Sequence, residues 1–221
     1  MIRKKQAGEA IVLQRLNDVF VDLEIKGVTP VIPHKWSEKA KSMMPGHPDA
    51  EGVKKKKGVR KPEEEAEACV YRLPDGSPGM PATAFKAAII GACRFFDKPS
   101  MTEAKLLVFV EGIGPDQLVP IEGKPILRED TPRNANGSAD LRYRYAFENW
   151  SATIRVRYVP TSITVESVVT LVDAAGRGGI GDWRPSAPKS STGTFGTWRV
   201  ATQNAVEKPA ELVKVKGKAR R

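Results

Sequence analysis

Alternating apolar and polar residues predict three β-strands. In residues 19–25 the apolar positions recur at every second residue, at Val19, Val21, Leu23 and Ile25. Because successive side chains of a strand point to opposite faces of its sheet, this segment predicts a half-buried strand. Residues 141–147 and 150–158 repeat the pattern, and their predicted polar sides carry Arg142, Arg144, Arg155 and Arg157. Two shorter apolar segments, 106–110 and 195–203, predict further strands.

Two other segments have apolar residues at helical spacing. The first begins at Met80-Pro81, since proline suits the first turn of a helix. Its predicted buried stripe consists of Phe85, Ala88, Ile89, Ala92, Cys93 and Phe96. The second follows Thr164, a residue type that caps helices, and Gly176 is its predicted end.

Long insertions interrupt this pattern at residues 33–73 and 112–140. When these insertions are set aside, the predicted elements follow the order strand, helix, strand, strand, helix, strand. This order predicts the α+β class, with a ferredoxin-like or RRM-like βαββαβ core and large insertions after strand 1 and between strands 2 and 3. We expect residues 1–207 to form one domain and the basic residues 208–221 to form a flexible tail.

The chain is strongly basic, which narrows the classes of partner. It has 221 residues, a formal net charge of +10 and a pI near 9.6, so we expect an acidic partner, most commonly nucleic acid. The two cysteines, Cys69 and Cys93, have no metal-binding spacing, which favours reduced thiols in the cytoplasm of a prokaryotic or phage-infected cell. The sequence contains no apolar run as long as a membrane span and no signal peptide, so we expect no membrane contact.

The most unusual stretch is Gly176–Arg199, which we call the glycine-rich loop. Its glycines are Gly176, Gly178, Gly179, Gly181, Gly193 and Gly196, and its cations are Arg177, Arg184, Lys189 and Arg199. Glycine lets a backbone approach a ligand closely, and N–H groups in such turns form anion-binding concavities. With the cations and Trp183, the loop predicts a surface for a phosphodiester backbone and a base or two. The alternative is a long mobile loop that is glycine-rich because it is loose.

Three other groups of cations have two interpretations each. The run Lys54, Lys55, Lys56 and Lys57 belongs either to a solvated excursion or to a flap that contacts phosphates. Lys86 and Arg94 lie away from the apolar stripe of the first helix and face either solvent or phosphate. Arg155 and Arg157 form either a solvated strand face or a phosphate contact.

The opening of the first helix, Met80-Pro81-Ala82-Thr83-Ala84-Phe85-Lys86, resembles the Pro-Gly-Ser-Ser-Leu-Lys signature of the repeat-associated (RAMP) proteins of CRISPR systems. Residues 178–196 are similar to the C-terminal glycine-rich loop of that superfamily, although Trp183-Arg184-Pro185 interrupts its glycine run. The two insertions fall where its Cas7-like backbone subunits place their finger and thumb elements. The resemblance covers roughly residues 19–200.

This resemblance implies a subunit that stacks head-to-tail along guide RNA as a helical filament, together with other effector-complex subunits of an antiviral defence. It implies that Thr83 and Lys86 meet the RNA backbone, that residues 178–196 line the same groove, and that residues 112–140 form the thumb. All residues predicted to contact nucleic acid are Thr83, Lys86, Arg94, Arg128, Arg133, Arg142, Arg144, Arg177, Gly178, Gly179, Gly181, Trp183, Arg184, Lys189, Lys54, Lys55, Lys56 and Lys57.

Catalytic motifs are absent from the sequence. It contains no phosphate-binding P-loop, no dinucleotide fingerprint and no paired metal-binding carboxylates. Some proteins of the resembled superfamily cleave RNA with an aspartate after the first strand, but Asp49, the only aspartate between Pro33 and Leu73, lacks the flanking motif. We therefore expect a protein that is not an enzyme and needs no cofactor and no metal.

Two other functions fit the same basic charge. A phage protein that binds and anneals single-stranded DNA would pair complementary strands without a guide. A virion structural or assembly protein would use its basic loops on an acidic partner or on a packaged genome. The sequence leaves these functions open. It also leaves open whether the ligand is RNA or DNA, because that choice depends on contacts to the 2′-hydroxyl.

Overall fold

The computed structural model describes residues 15–36, 60–132, 137, 139–188 and 191–201, and the backbone of residues 207–209. In these ranges the chain has a mixed α+β fold with two antiparallel sheets, so the predicted α+β class is confirmed. The strands are β1 (Val19–Gly27), β2 (Tyr71–Arg72), β3 (Pro78–Pro81), β4 (Val108–Glu111), β5 (Leu118–Pro120), β6 (Glu122–Asp130), β7 (Arg142–Tyr158), β8 (Trp198–Val200) and β9 (Glu207–Pro209). The α-helices are α1 (Pro62–Glu67), α2 (Ala82–Ala92), α3 (Met101–Leu107) and α4 (Val165–Ala175).

The larger sheet has the spatial strand order β4, β7, β1, β8, and each neighbouring pair is antiparallel. β6 pairs with the first half of β7, and β9 pairs with β1. Along the chain, the elements of this central unit follow one another as β1, α2, β4, β7, α4 and β8. The smaller sheet consists of β2, β3 and β5. In the chain, β2 and β3 come before helix α2, and β5 comes after β4.

The alternation in β1 places one face of the larger sheet in the core. Val21, Leu23 and Ile25 are fully buried, and they cluster with apolar residues of α2 and α4. On the other face Asp22 lies opposite Arg155 across the β1–β7 pairing, and the two side chains form an ion pair. The strand predicted from residues 19–25 is therefore confirmed, with Gly27 as its last residue.

The two strands predicted at 141–147 and 150–158 form one continuous strand of 17 residues, β7. The break expected between them is only a local irregularity, where Asn149 has a φ of 48°. The chain stays extended because Trp150 is anchored: its side chain is 1% exposed and its indole N–H donates to the carbonyl oxygen of Thr29 at 2.8 Å. The first half of β7 thus continues beyond the central strands and pairs with β6.

The predicted polar face of the first half of β7 is inverted at one position. Arg144 was expected on the outer, cationic side, but it is 5% exposed, whereas its neighbours Tyr143 and Tyr145 are only half-buried. The physical reason is a partly buried acidic partner, Asp182, whose side chain is 21% exposed and with which Arg144 forms an ion pair. A buried charge is tolerated when it is paired in this way.

The two predicted helices form close to where the sequence placed them. Pro81 is the N-cap residue of α2, and Phe85, Ile89 and Ala92 turn into the core. The hydroxyl of Thr164 accepts a hydrogen bond from the backbone N–H of Ser167, as expected for the cap of α4.

A helix that the apolar pattern did not indicate precedes β4. Residues 106–110 were expected to form a strand, but Leu106 and Leu107 belong to α3 and the strand begins at Val108. A capping box initiates α3, in which Ser100 accepts from the N–H of Glu103 and the Glu103 carboxylate accepts from the N–H of Ser100. The Ser-Met-Thr-Glu spacing carries this signal, which the short apolar run obscured.

The structure describes only part of the predicted insertion 33–73 and of the predicted boundary between domain and tail. Within the predicted insertion 33–73, the described residues include α1 and β2. The expected boundary between the domain and the tail, at residue 207, falls inside β9, which pairs with residues 19–21 of β1. Among the described helices, the longest have 11 residues, and none has the length and apolar character to cross a membrane.

Candidate nucleic-acid interface

A cleft of about 470 Å³ lies between helix α2 and the glycine-rich loop. One wall consists of α2 and its neighbours, and the other consists of residues 179–188. The lining residues are His34, Tyr71, Met80, Pro81, Ala84, Ala87, Ala88, Gly91, Arg94, Met101, Gly179, Ile180, Gly181, Asp182, Arg184, Ser186 and Pro188. The resemblance implied that Thr83, Lys86 and residues 178–196 share one groove. The cleft does join α2 to residues 179–188, but neither Thr83 nor Lys86 lines it. We refer to this groove as the α2–loop cleft.

The α2 wall is built from small residues. Ala84, Ala87 and Gly91 recur at intervals of three and four residues, so they share one face of the helix, and Arg94 continues that face beyond its end. The opposite face carries Phe85 and is buried in the core. A ligand can therefore come close to the α2 backbone and reach the guanidinium of Arg94, which is exposed.

The loop wall is folded tightly against the rest of the chain. The backbone N–H of Ile180 donates to Gly196, that of Asp182 donates to Ile32, and that of Gly196 donates to Pro30. These bonds attach the loop to the segment that follows β1, so the described part of the loop is held in place by its own backbone contacts. The interpretation of a loose loop does not fit this arrangement.

The glycines serve these internal contacts. Gly179, Gly181 and Gly196 all have a positive φ, between 65° and 77°. A Cβ atom at Gly179 would lie 2.7 Å from the carbonyl oxygen of Phe195, and one at Gly181 would lie 2.5 Å from that of Ile32. The structure thus gives a reason for these glycines within the protein, because only glycine allows the chain to cross itself so closely. That they also let a ligand approach stays a prediction.

Two arginines present positive charge to the cleft. Arg184 is half-buried, and its Nη1 donates to the carbonyl oxygen of Gly181 at 2.9 Å. Neither Arg184 nor Arg94 has an acidic partner among the described residues. Arg177, at the end of α4, is exposed as well. Because these charges are not neutralised by neighbouring carboxylates of the described chain, they are free to pair with an anion.

The end of the cleft at His34 is polar but has little net charge. Asp182 pairs with Arg144, and the Nδ1 atom of His34 lies 3.5 Å from Oδ1 of the same carboxylate. His34 Nε2 is 3.3 Å from Nη2 of Arg144. Burial, together with the charges of Arg144 and Arg142, lowers the pKa of His34 to about 4, so the imidazole is neutral at pH 7. We refer to these three residues as the His34–Arg144–Asp182 triad, in which only Arg144 is buried.

Arg144 is consequently not available to a phosphate in this arrangement, because its side chain is 6% exposed and its guanidinium pairs with Asp182. Arg142 pairs with Asp140 at 2.7 Å and is one-third exposed. Thr83 is exposed in the first turn of α2 but does not line the cleft. Gly178 precedes the lining residues and accepts a hydrogen bond from the N–H of Ser186.

Lys86 lies on a different side of α2 from the cleft. Its Nζ atom donates to the carbonyl oxygen of Lys105 at 3.0 Å and lies 3.7 Å from the ring centre of Phe109. Burial lowers the pKa of Lys86, and the nearby charge of Arg157 lowers it further. The side chain therefore connects α2 with α3 and β4, and the structure does not bring it together with Arg94 and Arg184.

Arg128 and Trp183 meet at the outer side of the loop. The guanidinium carbon of Arg128 lies 5.8 Å from the ring centre of Trp183 and 5.0 Å from that of Phe195, and Arg128 also pairs with Asp130 at 2.9 Å. Trp183 and Phe195 contact each other edge to face at 5.9 Å. The strand β6 is thereby attached to the glycine-rich loop.

The arginines of the outer sheet face are all paired with acids. Arg155 pairs with Asp22, and Arg157 pairs with both Asp18 and Glu111. Both arginines are therefore charge-compensated within the protein, which favours the solvated strand face over a phosphate contact. Arg199 of the glycine-rich loop is paired as well, with Asp173 at 2.8 Å.

Several predicted contacts fall outside the described residues. They are Arg133, Lys189, Lys54, Lys55, Lys56 and Lys57.

Sequence reasoning did not include His34, Tyr71 and Asp182 in the site. His34 and Asp182 are 148 positions apart in the chain, and neither belongs to a motif. Their proximity follows from the backbone bond between Asp182 and Ile32, which only the folded chain shows. Among the described residues, no cluster of histidine, cysteine and acidic side chains has the arrangement of a metal site.

Comparisons with known proteins give distant structural likenesses only. No family model matches the chain, and no curated protein matches it. A cryo-EM structure of the Type III-B Cmr-beta bound to cognate target RNA is similar over 87% of this chain, with 12% sequence identity and a TM-score of 0.43. The matched region spans 61% of that longer chain.

Proposed function

We propose that this protein binds single-stranded nucleic acid in the α2–loop cleft and does not catalyse a reaction on it. The observation that carries the proposal is the position of Arg94 and Arg184, which bring two uncompensated positive charges to one cleft. Elsewhere on the described surface, arginines such as Arg155 and Arg199 are neutralised by aspartates. Guanidinium groups match the geometry of phosphates and carboxylates and bind them through charge-assisted hydrogen bonds.

The form of the cleft favours a single strand. A volume of about 470 Å³ is that of a site for a small molecule, which suits a few nucleotides of one strand and not a duplex. The wall of Ala84, Ala87 and Gly91 allows a sugar–phosphate chain to lie close to the helix. Contacts to phosphates carry no sequence information, so we expect binding that is largely independent of sequence.

We further infer that the central unit is a ferredoxin-like core and that the protein is a Cas7-like backbone subunit. The chain order β1, α2, β4, β7, α4, β8 and the spatial order β4, β7, β1, β8 support the core. The helix opening at Met80-Pro81 and the glycine-rich loop, which meet in one cleft, support the role. The ligand would then be a guide RNA, and copies of the chain would associate head-to-tail along it with other subunits of an effector complex.

The test is a titration of a fluorescent single-stranded RNA, read by anisotropy at several salt concentrations. The double variant Arg94→Ala/Arg184→Ala should bind at least about tenfold more weakly than the unmodified protein. For a single strand, log K falls with log salt with a slope of about −0.7 per phosphate contact, so the loss of two contacts should make the slope less steep by about 1.4.

The matched control is Arg155→Ala/Arg199→Ala. It removes the same formal charge from two side chains that are each 54% exposed but paired with aspartates outside the cleft. We expect its affinity to stay within about twofold of the unmodified protein. If both double variants lose affinity equally, binding depends on overall charge and the cleft is not the site. Cleavage of the labelled strand during the titration would contradict the non-catalytic proposal.

A further inference from the structure

We propose that Arg144 and Asp182 are positioning residues that fix the glycine-rich loop so that Arg184 faces the α2–loop cleft. This inference rests on the proposed function, and it assigns a positioning role to the ion pair between Arg144 and Asp182. It replaces the sequence-based expectation that Arg144 binds a phosphate.

The first step in the argument is the anchoring of the loop to the sheet. Arg144 belongs to β7, where its backbone is held by pairing with Arg128 of β6, and its side chain is 5% exposed. Its ion pair with Asp182 therefore connects a rigid strand with the loop. His34 contacts both partners and closes the triad from the segment after β1.

The second step leads from Asp182 to Arg184. Asp182 is anchored twice, by its side chain to Arg144 and by its backbone N–H to the carbonyl oxygen of Ile32 at 2.9 Å. Arg184 follows two residues later and donates to the carbonyl oxygen of Gly181. The direction of the Arg184 side chain is thus defined by a short turn whose first half is fixed by the triad.

The residue between them shows that the turn is constrained. Trp183 has a φ of 52°, in the left-handed region that bulky residues rarely adopt. Such a conformation persists only where the surroundings determine it, at a cost of about 1–3 kcal/mol. On one side of Trp183 the surroundings are the anchors of Asp182, and on the other they are the backbone bond from Phe195 to the Trp183 carbonyl oxygen at 3.1 Å.

Stability alone is a weak explanation for the ion pair. Replacing a buried ion pair by uncharged residues of similar volume is often neutral or stabilising, because the charges must give up their hydration. Burial, together with the nearby charge of Arg142, lowers the pKa of Arg144, so desolvation of the guanidinium offsets part of the attraction within the pair. A role in holding one loop conformation accounts for the pair where a contribution to stability does not.

The test is a double-mutant cycle on single-stranded RNA affinity, with four proteins of known melting temperature. The variant Arg144→Met/Asp182→Asn removes the ion pair without changing the net charge. In the unmodified background, Arg184→Ala should weaken binding by about tenfold. In the Arg144→Met/Asp182→Asn background, the same Arg184→Ala change should cost less than about twofold, because Arg184 no longer faces the cleft.

The outcomes separate the two proposals. If Arg184→Ala has the same cost in both backgrounds, the ion pair does not position Arg184 and the inference is overturned, while the proposed function stands. If Arg184→Ala has no effect in the unmodified background, the proposed function fails and the inference fails with it. Should Arg144→Met/Asp182→Asn not fold, Arg144→Lys takes its place in the cycle, since lysine keeps the charge but lacks the planar group that contacts both Asp182 and His34.

Discussion

The glycines of the glycine-rich loop show how single residues decide the shape of the cleft. At Gly196 the backbone has a φ of 69°, and an added Cβ atom would collide with the carbonyl oxygen of Ile180. The same two residues share a backbone hydrogen bond of 3.0 Å from Ile180 to Gly196. The lining of the cleft at Ile180 and Gly181 therefore depends on a residue that does not line it.

We predict that Gly196→Ala is much more destabilising than Gly76→Ala. Both positions have a positive φ, which costs about 1–2 kcal/mol for a residue with a side chain. Gly76 has open space around its Cβ position, with no atom within 4 Å, so that cost is the whole effect there. At Gly196 the backbone must also move, and we expect a further loss of at least about 2 kcal/mol.

The measurement is chemical unfolding of the two variants and the unmodified protein. RNA affinity, measured well below the unfolding midpoint, should fall for Gly196→Ala and stay unchanged for Gly76→Ala. Equal unfolding free energies for the two variants would show that the loop is looser than its hydrogen bonds indicate.

At the scale of elements, the contact between β6 and the glycine-rich loop depends on one side chain. Arg128 lies over the rings of Trp183 and Phe195 while pairing with Asp130. The alternation of β6 does not reveal this contact, because its aromatic partners come from a segment more than 50 residues later. The sequence nevertheless places Arg128 in an insertion that carries cations, and the structure gives this arginine a partner within the protein.

We predict that Arg128→Ala destabilises the protein by about 1–2 kcal/mol, since a partly desolvated cation–π contact has this magnitude. Hydrogen exchange should become faster in residues 193–197, where the loop loses its support from β6. The measurement is hydrogen–deuterium exchange followed by mass spectrometry, together with thermal unfolding.

Arg142→Ala is the matched control. Arg142 is exposed to the same extent as Arg128, 33% against 34%, and each pairs with an aspartate two residues away. Among the described residues no aromatic ring lies under Arg142. We expect a loss below about 0.5 kcal/mol and unchanged exchange in residues 193–197. Similar effects of the two variants would assign the stability to the ion pairs and not to the ring contacts.

At the scale of the whole molecule, some arginines are paired with acidic side chains and others are not. The formal net charge is +10, yet the arginines of the outer sheet face are compensated by acids on neighbouring strands. In the cleft, Arg94 and Arg184 are not compensated by any described residue. The net charge therefore explains the attraction of a polyanion to the protein, and the pairing pattern explains where on the described surface it is held.

We predict that the protein purified under native conditions at low salt carries RNA of a discrete length. Several copies should bind to each RNA, since we propose head-to-tail association along the strand. The measurements are extraction and sizing of the nucleic acid and the mass of the complex by light scattering. Arg94→Ala/Arg184→Ala, purified in the same way, should retain less nucleic acid. Heterogeneous DNA fragments would favour an annealing protein instead, and a protein free of nucleic acid would contradict the proposal.

The fold was predictable to the extent that it depends on local periodicity. The alternation of β1 and the helical spacing of α2 and α4 are written in neighbouring residues, because burial of one face imposes a period on the chain. The capping signals at Pro81 and Thr164 are local as well. The α+β class could therefore be anticipated, whereas the meeting of α2 with the glycine-rich loop was implied only by the family resemblance of the two segments.

The partners of charged residues were decided by the tertiary structure alone. Arg144 and Arg184 look alike in the sequence, but the first is buried against Asp182 and the second faces a cleft. The triad brings together residues 34, 144 and 182, and no local pattern encodes a contact between such distant positions. The sequence thus determined how many charges the protein carries. The fold determined which of them are compensated, because two side chains form an ion pair only when they lie within a few ångströms of each other.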